Sequence, residues 1–154
     1  MEDRCTFVVG DAEHSGFEDE SFDCIFVSSV LHHLDLDAAY KELHRLLRPD
    51  GMILCKEALS NNPFFMYYRR KTPHLRTAWE VDHILSVDDI KKGEKYFSQV
   101  DIKFFHLFVL GAVPFRGTVL FDPVRKILDG LDSFVLSLPL VRHWAWQGIF
   151  TLKK

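Results

Sequence analysis

An α/β fold built on a mostly parallel sheet is what this sequence predicts, and three observations predict it. Two short runs, "CTFVVGD" and "FDCIFVSS", are continuously apolar rather than alternating, the pattern of strands covered on both faces. Apolar residues then recur every three or four positions, as in a helix with one buried side. A third apolar run, "MILCKEAL", follows after Pro49-Asp50-Gly51. Strand, helix and strand with short connections form a βαβ unit, whose crossover is right-handed and whose strands are parallel.

Each element has its own local reason. "CTFVVGDAE" reads as a first strand closed by a turn at Gly10 and Asp11, and polar "EHSGFEDES" as the loop leading to the second strand, "FDCIFVSS". In the helix, Leu36, Ala39, Tyr40, Leu43, Leu46 and Leu47 share one face, with Asp37, Lys41, Glu42, Arg45 and Arg48 opposite. Asp35 is placed to cap it and Pro49-Asp50-Gly51 to end it. "NNPFFMYYRRKTPHLRTAWEVDH" has no clean period and reads as irregular or weakly helical. "SVDDIKKGEKYF" is a helix capped by Ser86, with Asp88 and Asp89 in its first turn. "QVDIKFFHLFVL" and the closing "HWAWQGIFTLKK" are strands.

Between those two strands lies an amphipathic insertion at about 111–141. From Asp122 to Leu138, Val124, Ile127, Leu128, Leu131, Phe134, Val135 and Leu138 form a stripe, with Arg125, Lys126, Asp129 and Asp132 opposite. Mixed charge on the polar face favours burial against the domain over lipid. The aromatic run "FFHLFVLGAVPF" just upstream keeps peripheral membrane or lipid contact open.

With 154 residues, 47% of them hydrophobic and 27% charged, the chain reads as a single domain of a soluble globular protein. A net charge of -3 gives no footprint for nucleic acid. Cys5, Cys24 and Cys55 are odd in number, lie in apolar runs and make no CxxC pair, so they read as buried thiols of a reducing compartment. "MEDRCTFVVGD" lacks the charged and apolar regions of a signal peptide, which makes the cytoplasm the expected location. The eight histidines show no metal-ligand spacing, and no metal is expected.

In open α/β sheets, ligands bind beyond the carboxyl ends of the strands. "GDAE" and "SSVLHH" sit at such ends, where carboxylate, hydroxyl and imidazole groups can face a crevice. Together with "FEDESFDCI" and "LRPDGMIL", these elements, over residues 8 to 59, resemble the second half of a class I S-adenosylmethionine-dependent methyltransferase of the methyltransferase type 11 group. The resemblance implies a Rossmann-like sheet with an antiparallel final strand, and transfer of a methyl group from S-adenosylmethionine to a small molecule such as a lipid or glycan precursor. It also implies roles. Asp11 matches the residue that accepts a hydrogen bond from the adenine amino group, and Ala12 the next position, whose N–H reaches the adenine ring. Ser28, with Ser29 beside it, matches the end of the fourth strand, which lines the methionine part of the cofactor. His32 and His33 match variable positions at the mouth of the site, where a base or a substrate-orienting group often lies. Arg76, Thr77 and Glu80 fall in the part that shapes the acceptor site.

In the group, a glycine-rich turn and an acidic residue precede the GDAE element, but only ten residues do so here, and the glycines never form GxG. The domain is thus expected to be partial, incomplete at its N-terminus. A truncated reading frame explains that most simply, and a homodimer or a separate completing chain would be the other route to a whole site. The alternative function is that of a non-catalytic methyltransferase-like fragment that binds a partner.

Overall fold

The computed structural model describes residues 5–75 and 83–154. Four strands, β1 (Phe22–Ser28), β2 (Leu47–Ala58), β3 (Gln99–Phe105) and β4 (Gln147–Lys153), form one sheet in the order β1-β2-β4-β3. β1 and β2 are parallel, and β4 lies antiparallel between β2 and β3. Three strands therefore point one way and the last is reversed, the Rossmann-like arrangement with an antiparallel final strand that the resemblance implied.

Helix α1 (Leu36–Leu46) connects β1 to β2, and the Asp35 carboxylate caps it by accepting from the Ala38 N–H at 2.9 Å. Its Ala39, Tyr40 and Leu43 pack into a core with Leu31, Ile53, Ile90, Phe150 and Leu152. Burying a side chain of this size contributes roughly 1.5–3 kcal/mol. α1 passes into β2 without a loop, so Pro49-Asp50-Gly51 lies within the strand rather than after the helix. A Cβ on Gly51 would stand 2.7 Å from the Leu47 side chain and 2.9 Å from the Arg48 carbonyl oxygen, which is why glycine is needed there.

Helix α2 (Pro63–Lys71) realises the helical reading of the aromatic and basic segment. The Asn62 side-chain oxygen accepts from the Phe64 and Phe65 N–H groups, and Pro63 occupies the first turn. Helix α3 (Val87–Lys91) carries the expected Ser86 cap, doubled into a capping box with Asp89.

Four expectations need correction. The run from Cys5 to Gly10 forms no strand, and Phe7, Val8 and Val9 are exposed. A strand is stable only where a neighbour takes its backbone hydrogen bonds, and among the described residues none lies beside it. Cys5 and Cys24 are exposed and only Cys55 is buried: Cys5 lies in that unpaired run, and the β1 face that carries Cys24 and Phe26 is not covered. β3 stops at Phe105 instead of running on to Leu110: His106 takes a left-handed φ of 63°, and the following N–H groups turn to a side chain. That side chain is Asp132, expected on the outer face of the amphipathic segment but in fact buried. Its carboxylate accepts from the N–H groups of Leu107 (2.9 Å), Phe108 (2.6 Å) and Val109 (3.1 Å).

The amphipathic segment is helix α4 (Phe121–Val135), preceded by a 3-10 stretch, Val109–Phe115. Expected to lie buried, its stripe is only half covered. Ile127, Leu131, Phe134 and Leu138 are exposed, Ile127 and Phe134 by 71% and 69%, while Val124, Leu128 and Val135 are half-buried.

Candidate active site

The site begins at the carboxyl ends of β1 and β2. Ser29 continues the ladder by donating its N–H to the Lys56 carbonyl at 2.9 Å, then turns the chain with a φ of 54°. The next three residues are held by one carboxylate. Glu57, wholly buried on β2, accepts from the Val30 N–H (2.8 Å) and the Leu31 N–H (2.9 Å) through Oε1, and its Oε2 lies 2.8 Å from His32 Nδ1. A buried carboxylate is stable when its oxygens are saturated by donors, as here. With Nδ1–H donating to Glu57, the imidazole lone pair is on Nε2. The His33 ring stacks on His32 with centroids 4.1 Å apart.

The GDAE turn is tied to the amino end of α1 rather than to β1. Asp11 Oδ1 accepts from the Glu13 N–H at 2.9 Å, closing a local turn. Glu13 in turn accepts from the Asp35 N–H, and Ser15 donates both N–H and O–H to Glu42. Arg45 holds Glu42 from the other side, and its guanidinium, followed by Ser15, brings the Glu42 carboxyl down to about 2. Burial, with the Glu57 charge adding, pushes the Cys55 thiol well above its ordinary range.

Ala12 and Ser28 line one apolar cleft of about 420 Å³, together with Phe17, Phe26 and Val30. Asp11, Ser29, His32 and His33 are not among its lining residues. The cleft falls in the size range of small-molecule pockets, about 300–1,000 Å³. Its apolar walls suit an adenine ring, but none of the residues lining it carries the charge that a methionine carboxylate needs. Glu57 was not singled out in the sequence. The signal was an acid facing inward near the end of an apolar strand, two positions from Cys55 and four from Ile53 on the buried side of β2. Arg76, Thr77 and Glu80 lie outside the described residues.

Residues 1–55 match a family model described as a methyltransferase domain. That stretch is thus similar to a methyltransferase domain. Among individual proteins, the demethylmenaquinone methyltransferase of Roseiflexus castenholzii is 35% identical over 86 residues, 51% of this chain and 36% of that protein. The human mitochondrial 2-methoxy-6-polyprenyl-1,4-benzoquinol methylase is 39% identical over 59 residues, 37% of this chain and 18% of that protein. The chain thus spans about a third or less of the length of these curated relatives. In fold, it is similar to a SAM-dependent methyltransferase from Archaeoglobus fulgidus, with a TM-score of 0.59 at 15% identity, covering 96% of this chain and 66% of that one.

Proposed function

We propose that this chain forms the adenine side and the acceptor wall of an S-adenosylmethionine-dependent methyltransferase acting on a small molecule, a lipid precursor above a glycan precursor. The carrying observation is the buried Glu57 carboxylate, which fixes the His32 ring and the loop before it at the carboxyl ends of two parallel strands. The two relatives named above are quinol-type methyltransferases, which supports the lipid class.

S-adenosylmethionine, when bound, supplies an electrophilic methyl group. Ala12 would hold its adenine end in the apolar cleft, with Asp11 at the rim, and Ser28, lining the same cleft, would face the methionine part. His32 is the base. Where the acceptor is a hydroxyl, its Nε2 would take the proton lost as the oxygen is methylated, with Glu57 stabilising the resulting imidazolium. His33 and Ser29 shape the same mouth.

Calorimetric titration of the 154-residue chain with S-adenosylmethionine and S-adenosylhomocysteine tests this reading. Micromolar binding of both, abolished when Ser28→Phe fills the cleft, is expected. A folded chain that binds neither sinks the reading for this chain. The alternative of a non-catalytic interaction partner would then stand, with the exposed outer edge of β1 pairing with a second copy or a completing chain.

A further inference from the structure

We infer that the Val109–Trp146 region is a membrane-docking surface whose partner is an anionic lipid bilayer. The inference goes beyond the catalytic reading and rests on separate residues. Along α4, Leu120, Ile127, Leu131, Phe134 and Leu138 are exposed at helical spacing, beside the face that packs on the Val109–Phe115 stretch. The surface is not a single stripe. Val119 (91% exposed) and Leu140 (89%) protrude from the turns at either end of the helix, and Val113 and Trp144 extend it. A soluble surface rarely gathers so many large apolar groups without something to cover them.

Charge decides what covers it. Arg116, Arg125, Lys126 and Arg142 are interleaved with these apolar residues, against Asp122, Asp129 and Asp132. Asp132 is consumed by three backbone N–H groups and Asp122 faces Arg125 at 3.7 Å. Setting aside Asp132 and the Asp122–Arg125 pair leaves exposed Arg116, Lys126 and Arg142 against Asp129, on a chain whose net charge is -3. A two-fold dimer through this surface would bring the same basic residues of both copies together, whereas anionic headgroups neutralise them. The surface also sits on irregular turns and a helix of about 22 Å, dimensions that suit lying in the interface. Among the described residues, no helix is long and apolar enough to cross a membrane.

Vesicle flotation of the 154-residue chain tests the assignment. Vesicles of phosphatidylcholine and phosphatidylserine in equal parts should carry the protein up, and phosphatidylcholine alone should carry much less. The double variant Ile127→Asp/Phe134→Asp touches only exposed positions, so it should melt like the parent while its partition falls by about a hundredfold. Neutralising Arg116 or Lys126 should weaken anionic binding by about fivefold each and reduce its salt dependence. The inference is overturned by absence of flotation, or by flotation that the double variant leaves unchanged. It is equally overturned if light scattering finds a dimer that the double variant dissociates, because the surface is then a self-association interface.

Discussion

Replacing Glu57 by alanine should loosen the loop that carries the candidate base. The carboxylate is wholly buried and takes three hydrogen bonds, from Val30, Leu31 and His32. Leu31 is 1% exposed, so water cannot easily replace the lost acceptor at its N–H. One buried donor left unpaired costs about 1–3 kcal/mol, and breaking a buried charged cluster typically brings the total to about 3–5 kcal/mol. Glu57→Gln keeps the volume and one oxygen for the two N–H groups, so it should cost only about 1–2 kcal/mol. Urea unfolding followed by circular dichroism, with equal slopes for the variants, would measure both. An alanine variant within about 1 kcal/mol of the parent would refute the brace. So would a glutamine variant as unstable as the alanine one, since the backbone bonds would then count for nothing.

Three further outcomes are expected. Glu42 has an ordinary value of 4.5 and is held at about 2 in the fold. Its stabilisation is therefore complete above pH 4.5 and is lost as pH falls toward about 2, and the stability gap between the parent and Glu42→Gln should narrow over that window in urea titrations at stepped pH. Thiol alkylation of the native chain should label Cys5 and Cys24 quickly and Cys55 only on unfolding, which peptide mass spectrometry would read. Asp132→Ala should free the Leu107–Val109 backbone from α4, seen as faster amide hydrogen exchange there while the β1–β2 pairing keeps its protection.

Elements with complete local signals were legible in the sequence. α1 had an Asp35 cap and an apolar period, and α3 had Ser86 with two acids behind it, and both form where the residues place them. The strand read at Cys5–Gly10 had composition alone, and β-propensity has no effect without a neighbour to pair with. Asp132 misled for a related reason: a charged residue suggests an outer face until backbone donors elsewhere in the chain claim it. At the site, Ala12 and Ser28 line one cleft, whereas Asp11, Ser29, His32 and His33, read from the same pattern, are not among its lining residues. Glu57 escaped notice because its role depends on a loop some 26 residues earlier in the chain, which sequence spacing cannot show.

The sheet order also sets the sequence of assembly. β1 and β2 are joined by one helix and can pair early, through local contacts. β3 cannot, because among the described residues its partner in the sheet is β4 alone, on the far side of the whole Leu107–Trp146 stretch. Until β4 slots between β2 and β3, both strands keep an open edge. Folding of this half should therefore be slow relative to the β1–α1–β2 unit, and the exposed apolar residues of α4 make that interval the one in which the chain is most prone to aggregate.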